Sequence, residues 1–310
     1  MTKIKELLVT PIDVDHIKDL HEAGANAIVI GEEQFGLRLA GEFNREDVKK
    51  ATALAHSLNM NVYVAVNGIF HNDKVDGLYD YIAFLRDVEV DAIIFGDPAV
   101  LMIRNEIAPN MPLHWSTETT GTNYFQANYW GERGAKRAVM AKEINMEEIV
   151  ETKEHANVEI EVQVHGMLCM FQSKRHLLGN YFEYQGKNLK VEKSDASRHL
   201  MLYDPERKVH YPIFEDASGT HIMSLHDVTI IDDLTDMLDA GIDSFKIDGV
   251  LQEKDYITAV TRTYRKAFDL YEQNPEKYED QADELLQEVE ELQPTTRPLG
   301  TGFFYKETIY

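Results

Sequence analysis

The chain has 310 residues, 31 Lys and Arg against 54 Asp and Glu, a formal net charge of −23, and one cysteine. That length suits a single α/β barrel with insertions and can bury a full core without staples. The acidity argues against a protein that grips nucleic acid by itself, because affinity for a polyanion comes mainly from cations displacing counterions. One thiol excludes an intramolecular disulfide or a four-thiolate metal site within this chain.

The opening segment Met1–Thr10 runs into a strand-like stretch with no apolar signal core behind its lysines. No apolar run approaches the roughly 20 residues that cross a bilayer. The sequence therefore reads as soluble, cytoplasmic and reduced. Strands are expected near Glu6–Thr10, Asn26–Ile30, Asn61–Asn67, Asp91–Phe95, Pro112–Ser116, Lys136–Ala141, Glu159–His165, His221–Leu225 and Asp243–Ile247. Helical patterns lie between them, such as Val14–Ala23 behind Asp13 as a cap, and Asn44–Ser57, where Ala51, Leu54 and Ala55 share a face. Three helix-to-strand turns look alike, and in two of them Gly24 and Gly241 sit where a helix end needs positive φ. This alternation predicts a TIM-like (βα) barrel, complete or partly opened.

The alternation fails over 166–220, where Gly179, Asn180, Gly186, Asn188 and Pro205 mark a large insertion at the carboxyl-end mouth. The barrel-like domain is expected to span 1–274 including this insertion. The remainder, 275–310, is an acidic helix with an apolar stripe of Tyr278, Leu285, Val289 and Leu292, and an aromatic tail packed back on the barrel.

A parallel barrel puts its active site where the strands end. The candidates there are Asn67, Asp97, Ser116 with Thr117 and Glu118, Lys142 with Glu143, His165, His226 with Asp227, and Lys246 with Asp248. Some of these equally suit turns and caps: Asp97-Pro98 opens a turn and Asp227 can cap a helix. His165, Lys246 and Asp248 are expected to share one polar pocket, in which the lysine meets a substrate carboxylate or only closes an internal ion pair with Asp248. Cys169 is either a thiol nucleophile with His165 as its base, or a small apolar residue beside Met167, Leu168, Met170 and Phe171. Metal-protease, serine-hydrolase and nucleotide-loop motifs are all absent, so no resident metal or nucleotide is expected.

Several segments together resemble a known family. Glu159-Ile-Glu-Val-Gln-Val-His-Gly-Met-Leu-Cys-Met, then Ser173-Lys-Arg-His-Leu-Leu-Gly, then Ala240-Gly-Ile-Asp-Ser-Phe-Lys-Ile-Asp-Gly-Val250 are similar to the signatures of the collagenase-like peptidases of family U32. Tyr256 and Tyr264-Arg265-Lys266 follow as in the family, and the likeness covers nearly the entire chain. The resemblance implies prephenate-dependent hydroxylation of the tRNA wobble uridine, in which this short form acts with a longer relative carrying four cysteines for an iron–sulfur cluster. Here only Cys169 remains: His176 stands at the second cysteine position, and Lys193 and Ser197 at the last two. The family's Lys-Ile-Glu-Gly-Arg has become Lys246-Ile-Asp-Gly-Val250, with a shorter carboxylate and no guanidinium. From the strand ends and the resemblance together, catalysis is expected of His165, Cys169, Lys246 and Asp248, and ligand binding of Asn67, Asp97, Glu118, Lys142, Glu143 and His176. No cofactor is expected in this chain, and the resemblance implies prephenate as a co-substrate. tRNA is met indirectly or through basic patches, Lys174-Arg175 with Arg198 or Arg262 with Arg265 and Lys266. Two other functions stay open, a collagenase-like protease and a lyase-type barrel enzyme using Lys142 or Lys246, as does a homo-oligomer.

Overall fold

The computed structural model describes residues 6–116, 120–187 and 200–307. In chain order the strands are β1 (Glu6–Val9), β2 (Ala27–Ile30), β3 (Asn61–Val66), β4 (Ala92–Phe95), β5 (Leu113–Trp115), β6 (Ala135–Val139), β7 (Glu159–Ser173), β8 (Met201–Asp204), β9 (Val209–Asp216), β10 (Gly219–Thr229), β11 (Ser244–Asp248) and β12 (Leu299–Gly300). The helices are α1 (His16–Glu22), α2 (Arg45–Ser57), α3 (Val75–Val88), α4 (Pro98–Ile107), α5 (Tyr124–Gly131), α6 (Met146–His155), α7 (Leu177–Tyr184), α8 (Thr235–Ala240), α9 (Lys254–Gln273) and α10 (Pro275–Leu292). β1 to β7 lie side by side in sequence order, and β11 pairs in parallel with β7 on one side and β1 on the other. Among the described residues, eight parallel strands thus close a TIM-like barrel with helices between them.

Local chemistry fixes the units. Asn44, Asp97, Asn123 and Asn145 each accept a backbone N–H from the first turn of the helix they precede. Asp13 accepts the His16 N–H at 3.0 Å, ahead of α1. Gly24 and Gly241 do adopt positive φ, 100° and 78°, at the ends of α1 and α8. The strands β2, β3 and β4 are apolar on both faces because one face meets the helices and the other the barrel interior. Leu7, Val9, Ile28, Ile30, Val62 and Val64 face the helical layer, while Leu8, Ala27, Val29, Tyr63, Ala65 and Ile94 fill the interior.

That apolar filling serves only half of the barrel. The interior faces of β5, β6, β7 and β11 carry buried polar groups. At their amino ends Arg137 Nη1 meets Glu6 Oε1 at 2.5 Å and Glu161 Oε2 at 3.2 Å, and its Nη2 meets Glu159 Oε2 at 2.9 Å. Tyr63 and Ser244 donate their hydroxyls to the same Glu6 carboxylate.

The sequence-predicted strand His221–Leu225 requires correction. It belongs to β10, which runs antiparallel to β7 and β9 outside the barrel, and β8 extends this sheet from β9. The excursion therefore continues to Thr229, and the wound pattern resumes only at α8 and β11. Alternation marks a strand but not its direction, so the segment reads the same either way. After α9, the α10 side chains Tyr278, Leu285 and Val289 are buried in the outer core, whereas Leu292 is exposed. β12 pairs with Asp227 and Val228 of β10, and the Phe304 carbonyl accepts the Met146 N–H.

Candidate active site

Lys246 and Asp248 alternate on β11 and so share its inner face. Lys246 Nζ donates to Asp248 Oδ2 at 3.0 Å, and the other carboxylate oxygen accepts the Val250 N–H at 3.1 Å. Burial pushes the Asp248 carboxyl up, but Lys246 and Lys142 outweigh it and hold the group below its ordinary value. Glu161 lies fully buried deeper in the same face, where burial raises its carboxyl against the pull of Arg137 and Lys246. Across the mouth Arg38 is buried with φ of 49° and donates to Gln172 Oε1 at 3.2 Å. The backbone beside it is fixed by Asn67, whose Oδ1 accepts the Leu37 N–H at 2.9 Å.

These groups line two connected spaces. An inner chamber of about 50 Å³ holds Arg38, Lys142, Lys246, Asp248, Glu161 and Gln163 in its walls. An outer cleft of about 540 Å³ lies above it between Ile69, Asp97, Pro98 and the β7 residues Cys169 to Gln172. Leu37, Arg38, Asn67 and Ser116 line both. The chamber has room for a carboxylate-sized group; its wall holds three cations, Arg38, Lys142 and Lys246, against two carboxyl groups, Asp248, which is paired with Lys246, and Glu161, whose carboxyl burial raises.

His165 does not join this pocket, contrary to the expectation. Lys246 pairs with Gln163 but the next residue, Ile247, pairs with His165, so β7 carries one extra residue at this point. The bulge rotates His165 out of the barrel, and the Val164 carbonyl accepts the Tyr264 hydroxyl at 2.8 Å. His165 Nε2 lies 2.7 Å from the Tyr256 hydroxyl, in a buried network where Tyr256 donates to Gln293 and Gln293 donates to Asp227. Asp227, wholly buried, also accepts from Arg297 at 2.6 Å and Gln252 at 2.7 Å, while its neighbour His226 is exposed. This network ties α9 and the segment after α10 to β7 and β10. The adjoining Gly166, φ 105°, is required because a Cβ there would lie 2.1 Å from the Asp248 carbonyl oxygen.

Burial lowers the His165 imidazole to about 4, with Asp227 opposing and Arg297 assisting. A folded value below the unfolded one means that the unfolded chain binds the proton first. Its contribution is therefore complete above about pH 6.5, the unfolded histidine value, and is lost as the pH falls toward 4. Denaturant titrations of the wild type and of His165→Gln between pH 7 and 4 should show the wild type losing more stability, by about 2–3 kcal/mol. Parallel curves would contradict this assignment.

The other candidates separate. Asp97 caps α4 with Oδ1 and accepts the Phe70 N–H with Oδ2, so it shapes the cleft rim. Lys142 lines the chamber, but Glu143 is exposed beside it. His176 is exposed in the excursion, 3.7 Å from Glu215, and lines neither the chamber nor the outer cleft. Cys169 faces the outer cleft, where its Sγ lies 3.4 Å from the Phe171 carbonyl oxygen. Val250, at the family's arginine position, packs with Met167, Phe214 and Met223. Thr117, Glu118, Lys193, Ser197 and Arg198 lie outside the described residues. Arg38, Glu161 and Gln163 were not anticipated. Their signals were an unusually long βα loop from Gly31 to Asn44 and polar residues at alternate positions of a buried strand. Among the described residues, no group of three or more His, Cys, Asp or Glu is placed to hold a metal ion, and no helix is long and apolar enough to cross a membrane.

The model of Peptidase family U32 matches residues 12–309. The chain is 58% identical over 308 residues to the tRNA hydroxylation protein P2 of Bacillus subtilis (strain 168), covering 99% of this chain and 100% of that protein. It is 32% identical over 305 residues to the tRNA hydroxylation protein P1 of the same bacterium, covering 98% of this chain and 72% of P1. A solved U32 peptidase superposes with a TM-score of 0.51 at 15% identity, over 80% of this chain and 94% of the other, a likeness of fold alone.

Proposed function

This chain belongs to peptidase family U32, and from that premise we propose that it is a component of prephenate-dependent hydroxylation of the tRNA wobble uridine, acting with a longer four-cysteine relative. The observation that carries the reading is the identity of 58%, end to end, with a protein named for tRNA hydroxylation. The mouth chemistry supports it. Prephenate is a dicarboxylate, and Arg38, Lys142 and Lys246 surround a chamber of carboxylate size. The chain's single cysteine supports leaving any iron–sulfur chemistry to the longer relative, since a cluster needs several thiolates.

The peptidase reading has less support because the base expected for the thiol, His165, is instead hydrogen-bonded to Tyr256 in the buried network with Asp227. The lyase reading through Lys246 is weakened as well, because Lys246 is ion-paired with Asp248, which disfavours a nucleophilic amine; Lys142 lines the same chamber. Cys169→Ser should therefore leave wobble hydroxylation within about twofold of wild type and cost no more than about 1 kcal/mol, the range of a half-exposed substitution. Loss of hydroxylation at unchanged folding would instead make the thiol a participant.

The experiment for the function is mass spectrometry of tRNA from cells lacking this gene, the longer relative's gene, or both. Hydroxylated wobble uridine should vanish in each single deletion. Wild-type levels without this gene would refute the reading.

A further inference from the structure

The insertion differs in character from the rest of the molecule. Eight of the 31 basic residues but only seven of the 54 acidic ones lie in 166–220. Two of those acids are consumed internally. Glu215 accepts the Leu178 and Gly179 N–H groups at 2.6 and 3.1 Å at the start of α7, and Asp216 lies 2.8 Å from His221 Nε2. Arg175 is exposed, and among the described residues no carboxylate pairs with it. The alternative basic patch on α9 is neutralised by its own surroundings, since Arg265 meets Asp269 and Glu272 and Lys266 meets Glu288.

The same region exposes aromatic rings. Leu177, Tyr181 and Tyr184 are spaced to share one face of α7; Tyr184 is 90% exposed, Tyr181 55%, and Phe171, in the wall of the outer cleft, 49%. Lys174, three residues before α7, donates to the Ile69 carbonyl at 2.7 Å and so ties the helix to the rim of the outer cleft. The cleft combines apolar walls, Ile69, Pro98, Met170 and Phe171, with two amides. Asn67 and Gln172 spend their oxygens on the Leu37 N–H and Arg38, and among the described residues no acceptor meets the NH₂ of either, which leaves it for a carbonyl oxygen. A slot of about 540 Å³ with apolar walls and amide donors suits one unstacked pyrimidine.

We propose that this face receives the unpaired loop of an RNA stem–loop: Phe171, Tyr181 and Tyr184 stack on bases, Arg175 and Lys187 meet phosphates, and the outer cleft takes one extruded pyrimidine. The proposal rests on the tRNA reading above and adds the surface that reading lacks. It resolves the conflict with the net charge, because the acids lie mostly outside the docking face and sequence-tolerant stacking supplies affinity that cations do not.

The test is photo-cross-linking of the full chain, mixed with its longer relative, to an anticodon stem–loop RNA carrying 5-bromouridine at the wobble position. Cross-linked peptides should contain Phe171, Tyr181 or Tyr184. Anisotropy with the same RNA, fluorescently labelled, should show about tenfold weaker binding for Tyr181→Ala with Tyr184→Ala. Arg175→Glu should lower the slope of log affinity against log salt by about one. Cross-links confined to other parts of this chain or to the relative, or wild-type affinity in the double variant, would overturn the proposal. So would loss of co-purification with the relative at unchanged RNA binding, which would make the face a protein contact. Deletion of the gene separates the two claims. Lost modification with cross-links elsewhere removes only this surface, whereas unchanged modification removes the tRNA reading itself.

Discussion

Arg137→Met should cost about 3–5 kcal/mol of folding stability, the penalty for breaking a buried ion pair from one side. Arg137 is the cation at the centre of the polar half of the barrel, 4% exposed, within 3.2 Å of the carboxylates of Glu6, Glu159 and Glu161. Burial opposes its charge, but Glu6 and Glu161 outweigh burial and hold the guanidinium above its ordinary value. Methionine fills similar space but leaves Glu161 buried without its nearest cation. Because burial already pushes the Glu161 carboxyl up, that group relieves the penalty by taking a proton. The loss should accordingly be largest at neutral pH and shrink on acidification, and adding Glu161→Gln should recover part of it. Urea denaturation of the single and double variants at pH 7 and 5 measures this. A single-variant loss below about 1 kcal/mol, as for a surface pair, would contradict the account of the barrel interior.

Much of the fold was legible because periodicity and turn chemistry are local. Continuous Val and Ile runs announced buried parallel strands, and Gly24 and Gly241 announced helix ends. The pairing of Lys246 with Asp248 followed from their alternation on one strand. What the sequence concealed depends on contacts between distant segments. The β7 bulge that turns His165 outward leaves no trace in the pattern of Val162, Gln163 and Val164, because one inserted residue is visible only against its partner strand. Arg38 sits in a loop whose path is set by Asn67, 29 residues later in the chain. Arg137 lies in an ordinary-looking strand, and only the approach of β1 and β7 brings three carboxylates around it. The direction of β10 followed from the return of the excursion along β7, which hydrophobic alternation does not encode.

The second large effect concerns Lys246. It lines the chamber together with Arg38, is bound to Asp248 at 3.0 Å, and is only 19% exposed. Lys246→Met keeps the length and apolar stem of the side chain and removes its charge. Asp248 would still have Lys142 nearby and the Val250 N–H, so the loss of folding stability should stay within about 1–3 kcal/mol, the cost of one unmet buried partner. If the ammonium meets a substrate carboxylate, the cost in function is far larger, because the desolvated anion loses a charge-assisted bond and Arg38 and Lys142, fixed elsewhere in the wall, do not occupy its position. Lys246→Arg, which retains the charge on a longer side chain, should keep a measurable part of the activity.

The most direct measurement is the fraction of tRNA wobble uridine that is hydroxylated in cells whose sole copy of this gene carries Lys246→Met, read by mass spectrometry with protein level and melting temperature followed in parallel. The expected result is near-complete loss of the hydroxylated nucleoside with the protein folded and present at wild-type abundance. Wild-type hydroxylation in that strain would contradict the ligand-binding mouth and reduce Lys246 and Asp248 to an ion pair that closes the barrel.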